Sequence, residues 1–220
     1  QVIAPEERNF LYFLSTWHAG HTLQELLDAG GHLTVPDLVA HATRIVRAIG
    51  ALHRRSILHR DIKPANIHLG DDGELRVLDL GVAQSGMEAE QQDLSPQAGT
   101  PSFLAPEQFD GQPASSQTDL YATGVTLYYA LTRHYPYGEV EPFQRPRFGD
   151  PVAPSRYRPD LPPWLENLLL KAVAKNPADR FETAEEMLLA LERGASRPLQ
   201  APVPQPLMKR DPLALWKIVG

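Results

Sequence analysis

Leu58-His59-Arg60-Asp61-Ile62-Lys63-Pro64-Ala65-Asn66 is the stretch from which the rest of the chain can be read. Within the six residues from Asp61 to Asn66 it sets an acid, a cation and an amide, and Pro64 forbids a continuous helix through them. The expectation is a rigid polar loop that holds several chemistry-bearing side chains close together.

Working outward, Val35 to Arg55 precedes the loop and places Leu38, Val39, Ala42, Ile45, Val46, Ile49 and Leu52 at intervals of three and four, a core-facing helical stripe. Arg44, Arg47, His53, Arg54 and Arg55 read as its solvated face, with the charges near its end favourable at a helix C-terminus. On the other side, Ile67-His68-Leu69 and Leu75-Arg76-Val77-Leu78 flank Gly70-Asp71-Asp72-Gly73, which predicts a hairpin. Asp79-Leu80-Gly81 follows directly.

Farther out, Val82 to Ala98 is polar and weakly periodic and reads as a mobile loop. Asp119 to Leu131 is an apolar helix buried on most sides. Eight prolines between His134 and Pro163 exclude long regular elements there. Trp164 to Ala174 and Thr183 to Leu191 read as amphipathic helices, the second with Thr183 as cap and Glu186 at the capping-box position. Toward the start, Phe10 to Leu14 reads as a buried strand, Ser15 to His21 as a linker, and Thr22 with Glu25 as the capping box of a short helix ended by Gly30-Gly31. Arg193 to Pro206 is a proline-rich tail, and Pro212 to Gly220 turns apolar again.

With 220 residues and 42% hydrophobic residues the chain can build a proper core. A formal net charge of -6 argues against nucleic acid as the partner. The absence of cysteine excludes disulfides, thiolate metal sites and a cysteine nucleophile, and fits a reducing, cytoplasmic setting. No run approaches the roughly 18 apolar residues of a membrane span.

With these pieces in place, the chain resembles the large, helical lobe of a eukaryotic-type (Hanks-type) serine/threonine protein kinase, from about Phe10 to Leu191. The resemblance rests on ordered motifs: His59-Arg60-Asp61 with Lys63 and Asn66, Asp79-Leu80-Gly81, Ala105-Pro106-Glu107, Asp119 and Arg180. It implies a mainly α (α+β) fold, with a helical core and a small β-hairpin beside the catalytic loop. It implies that Asp61 orients a substrate hydroxyl and takes its proton, that Lys63 contacts the transferred phosphate, and that Asn66 and Asp79 ligate Mg²⁺ beside ATP. Thr100 is then the residue that bonds the catalytic acid and shapes the substrate site. Arg60 reads a phosphorylated activation loop, for which Ser95 is the candidate hydroxyl. Glu107 and Arg180 form a structural ion pair, Asp119 holds the loop backbone from beneath, and His59 is structural.

Leu80 stands where the family usually has Phe, and His68 stands where an aliphatic floor for adenine is expected, which a ring that stacks on a purine can satisfy. No G-x-G-x-x-G occurs, and none of the five lysines lies upstream of the presumed hinge. The expected domain plan is therefore residues 1-21 as the end of a small-lobe strand and the hinge, 22-193 as the large lobe, and 194-220 as the tail, with the small lobe absent and the 220 residues inert on their own. The substrate expected is a protein hydroxyl. A non-catalytic scaffold or docking module is the alternative, and a small-molecule phosphotransferase a third reading. Residues 135–148, 158–162 and 209–217 also resemble bacterial kinases that lie behind a phosphatase domain in bifunctional proteins, with a membrane-associated parent protein as the corollary.

Overall fold

The computed structural model describes residues 16–31, 33–79, 84–85, 101–141 and 146–194. The expected strand at Phe10 to Leu14, most of the 82–98 loop, Leu80, Gly81, Ser95, Thr100 and the tail lie outside the described residues. Among the described residues six helices carry the fold: α1 (Leu23–Asp28), α2 (Val35–His53), α3 (Pro106–Phe109), α4 (Ser116–Thr132), α5 (Pro163–Ala172) and α6 (Ala184–Arg193). Five short strands accompany them: β1 (Gly20–Thr22), β2 (Ile57–Leu58), β3 (Ile67–Gly70), β4 (Leu75–Val77) and β5 (Gln84–Ser85).

α1 begins where the sequence places it, with both bonds of the Thr22–Glu25 capping box formed. α2 starts from Thr34, whose hydroxyl accepts the Asp37 N–H at 3.2 Å, and buries Leu38, Ala42, Ile45, Val46 and Ile49 along one stripe. It runs out at a turn in which Ser56 takes a left-handed φ of 56°. That reversal delivers the chain to β2 and then to the polar loop.

α4 is the hub. Fourteen of its 17 residues are buried, so no face is left for water. It begins at Ser116, three residues before the expected start, because Ser115 accepts the Thr118 N–H and caps the helix there. Two of its buried hydroxyls bond within the helix, Thr123 to the Asp119 carbonyl and Thr132 to the Tyr128 carbonyl, each at 2.8 Å. The α4–α5 crossing is close at Gly124, where a Cβ would stand 2.6 Å from the Ala172 Cβ. α2, α4, α5 and α6 enclose the main core around Ile45, Ile49, Leu120, Leu127, Leu168 and Met187. Thr183 caps α6, but only half of the expected box forms. The Glu186 carboxylate instead accepts from the Glu182 N–H and from Lys171.

The hairpin of β3 and β4 is antiparallel with His68 opposite Arg76. It is larger than expected: β1 adds to the other side of β3, pairing Gly20 with Gly70 and Thr22 with His68. Residues 20–22, read as linker and cap, thus form a strand that runs across the boundary expected at residue 22. Their pairing depends on a distant partner and leaves no local alternation to read. Gly20 is required there, with φ of 136° and a Cβ position only 2.2 Å from the Leu69 carbonyl oxygen. A second pairing joins β2 to β5. From His134 to Pro162, apart from residues 142–145, the only regular element described is a single turn at Pro154–Arg156. No described helix is long and apolar enough to cross a membrane.

Candidate active site

Residues His59 to Asn66 are held from below by one carboxylate. Asp119, 1% exposed on α4, accepts the His59 N–H through Oδ2 and the Arg60 N–H through Oδ1, each at 2.9 Å. Arg60 has a left-handed φ of 70°, a conformation costly for a side chain of its size, so the two bonds fix a turn the backbone would otherwise leave. A third donor reaches the same acid: His53 Nε2 lies 2.9 Å from Asp119 Oδ2. The expectation that His53 belongs to a solvated face is corrected here. Its side chain is 11% exposed, because it lies four residues beyond Ile49 and continues the buried stripe of α2.

His59 is fully buried and works as a strut. Its Nε2 donates to the Leu78 carbonyl at 2.9 Å, and its Nδ1 accepts the Asp61 N–H at 3.3 Å. Since the Leu78 N–H donates to the Asn66 carbonyl at 2.8 Å, the loop is tied at two points to the residue just before Asp79. Asp79 itself has a left-handed φ of 64°, a second strained backbone position beside the loop.

The functional side chains converge on Asp61. Pro64 opens a tight turn, Pro64–Asn66, which swings Asn66 back so that its Nδ2 donates to the Asp61 carbonyl at 2.7 Å and to Asp61 Oδ2 at 2.9 Å. Lys63 Nζ lies 2.8 Å from the same Oδ2. Both side-chain contacts fall on Oδ2, so among the described residues Oδ1 takes neither. Ile62, almost fully buried, anchors the loop between these polar neighbours, and the Thr126 hydroxyl of α4 donates to its carbonyl at 3.4 Å. His68 sits on β3, 9% exposed, with Nδ1 buried and unpartnered.

Glu107 and Arg180 lie away from this convergence. They form a bidentate pair at 2.6 and 2.7 Å, and Arg180 also donates to the Ala174 and Lys175 carbonyls and lies over the Tyr121 ring. Burial, with Tyr137 nearby, holds the Tyr121 hydroxyl far above its ordinary pKa, so it stays protonated beside the pair.

The donor set suits a magnesium nucleotide. Asn66 turns its amide nitrogen toward Asp61, which leaves its own Oδ1 as a hard oxygen, and the Asp79 carboxylate would be the second such donor. No group of three or more His, Cys, Asp or Glu side chains among the described residues could hold an ion alone. Two protein oxygens completed by phosphates and water match the way Mg²⁺ is usually bound in phosphoryl-transfer sites.

Sequence reasoning missed His53 and Thr126. For His53 the signal was present in its helical spacing. For Thr126 no local signal exists, since its contact with the loop spans 64 residues.

The family model described as protein kinase domain matches residues 3–190. Among curated proteins, the chain is 36% identical over 189 residues to a probable serine/threonine-protein kinase of Streptomyces coelicolor, covering 82% of this chain and 28% of that protein. It is 35% identical over 185 residues to the serine/threonine-protein kinase PrkC of Bacillus subtilis, covering 83% and 28%, and 33% identical over 188 residues to PknB of Mycolicibacterium smegmatis, covering 83% and 30%. The chain thus spans less than a third of the length of these relatives. With a domain match over most of its length and the loop, acid and ion pair in place, the chain belongs to the protein kinase family.

Proposed function

We propose that the described residues are the helical lobe of a serine/threonine protein kinase, and that the Asp61 loop transfers the terminal phosphoryl group of ATP to a protein hydroxyl. One observation carries this reading: Lys63 and Asn66 both contact Oδ2 of Asp61, which leaves Oδ1 to receive a proton. In this reading Oδ1 accepts the hydrogen bond of the incoming serine or threonine hydroxyl, aligns it and takes its proton. Lys63, held beside the acid, presents its ammonium to the phosphate oxygens that gain charge. Asn66 Oδ1 and the Asp79 carboxylate hold the ion. Magnesium-bound ATP supplies the electrophilic phosphorus and a leaving group whose charge the ion offsets. Asp119, His53 and His59 keep the loop in register so that the hydroxyl is in line, and alignment is where most of the catalysis in this chemistry resides. Arg60 and Ser95 fit regulation by phosphorylation, with the Arg60 guanidinium as the receiver.

Calorimetric titration of the full-length protein with ATP, with and without Mg²⁺, tests the reading. Magnesium-dependent binding that is lost in Asp79→Asn supports it. Absence of any magnesium-dependent heat would instead leave a non-catalytic scaffold as the function of the lobe.

A further inference from the structure

Where α2 begins, a cleft of about 430 Å³ opens between Leu33, Thr34, Val35 and Pro36 on one side and Arg158 and Asp160 on the other. Its polar groups are already satisfied by one another or by the backbone. Arg158 donates to the Leu33 and Leu131 carbonyls and to both carboxylate oxygens of Asp160, the latter at 2.8 Å each. The Thr34 hydroxyl donates to the Asp37 carboxylate at 2.6 Å and accepts the Asp37 N–H, so the first turn of α2 is capped from within. A charged ligand, or one rich in hydrogen-bonding groups, would bury those groups unpaired against Leu33, Val35 and Pro36. The occupant that fits is apolar and carries few N–H donors.

The end of α6 is aimed at this cleft. Arg54 pairs with Glu185 and Arg47 with Glu192, so α6 runs antiparallel to α2 and leaves toward the start of α2. From Arg47 back to Pro36 is 11 residues of helix, roughly 16 Å. A second contact gives the same placement. A Cβ built on Gly194, which ends α6, would stand 3.4 Å from the Trp164 ring, and Trp164 follows Asp160 by four residues. Four residues span at most about 14 Å. Beyond Gly194 the sequence runs into Pro198-Leu199-Gln200-Ala201-Pro202-Val203-Pro204-Gln205-Pro206, four prolines in nine residues. A proline-rich chain favours the polyproline II form, which advances about 3.1 Å per residue and repeats every three. About five residues past Gly194 therefore cover the gap, which brings Leu199 to the cleft. In that form Pro198, Ala201 and Pro204 would share one apolar edge, and the prolines bring no N–H to bury.

We propose that residues 198–206 dock in the cleft at the start of α2 and strap the end of α6 to the junction between α1 and α2. The inference is independent of the nucleotide site, and it assigns the cleft to a segment of this chain by reach and by chemistry.

The test is disulfide trapping in the full-length protein. Residues 1–220 contain no cysteine, and any outside them are replaced by serine. The reporters are Val35→Cys and Pro36→Cys, each paired in turn with Leu199→Cys, Pro202→Cys and Gln205→Cys. The control is Arg55→Cys, which is exposed and lies past the other end of α2, no farther from Arg47 than Pro36 is. A free tail meets both ends of α2, whereas a docked one is held at the first. Thermal melts of each variant report folding. The expected result is that a tail cysteine bonds a reporter within one molecule about 10-fold faster than it bonds Arg55→Cys, since docking raises the local concentration. Val35→Asp sets a charge in the cleft at a first-turn position where helices favour an acid, and combined with Pro36→Cys it should abolish the difference. Equal rates at the two ends of α2, or a disulfide with neither reporter, overturn the proposal. Disulfides between two molecules in place of one within the chain would give the cleft to a second copy and overturn the assignment to the tail.

Discussion

At Asp119 a single carboxylate takes three hydrogen bonds, from the His59 and Arg60 N–H groups and from His53 Nε2. A buried acid with 1% exposure is stable only when its lone pairs are filled, so His53 is part of the price of placing the acid there. His53→Ala should cost about 1–3 kcal/mol in a denaturant melt. In the full-length protein it should lower kcat more than it raises KM for ATP, because the loop and not the nucleotide loses its support. Unchanged stability would show that the bond carries no load. The residues of the loop were legible because their relation is local: Asp61, Lys63 and Asn66 lie within six positions, and a proline between them leaves few ways to arrange them. His53 was passed over although its spacing, four residues beyond Ile49, continues the stripe: a histidine among arginines reads as surface, and its partner lies 66 residues away.

Among the elements, α2 and α4 were legible for opposite reasons. The stripe of α2 repeats every three to four residues, and burial follows it closely. α4 has no stripe, and its near-absence of charge gave the buried hub. The sequence places its start at Asp119, but the Asp119 carboxylate is bonded to the loop and Ser115 accepts the helix N–H. β1 was not legible at all: Gly-His-Thr has neither length nor alternation, and its pairing with β3 is specified by a partner some 46 to 50 residues away. The crossing of α4 and α5 makes a prediction against local propensity. Gly124→Ala should favour an isolated helix by about 1 kcal/mol. In the protein the added methyl meets the Ala172 Cβ at 2.6 Å, and overpacking of about 1–3 kcal/mol outweighs the gain. A lower urea midpoint is the expected outcome, and a raised one would mean that the helices can separate freely.

At the scale of the molecule, two of the long-range polar connections among the described residues are centred on buried charges: Asp119 joins α4 to the His59–Asn66 loop, and Glu107 joins α3 to Arg180, which follows the turn at Pro177–Asp179. Arg180 is fully buried, so Glu107→Ala strands a buried cation and should destabilise by about 3–5 kcal/mol. Replacing both partners by apolar residues of similar volume should cost far less, and a double variant as unstable as the single one would contradict this. The Asp119 tie holds the loop on which Asp61, Lys63 and Asn66 keep one geometry, for which we propose phosphoryl transfer. The direct measurement is single-turnover phosphoryl transfer from ATP to serine or threonine by the full-length protein, wild type against Asp61→Asn, with ATP affinity measured alongside. The predicted result is a rate about 10²- to 10⁴-fold lower in the variant with nucleotide affinity nearly unchanged. Transfer at the wild-type rate by Asp61→Asn would contradict it.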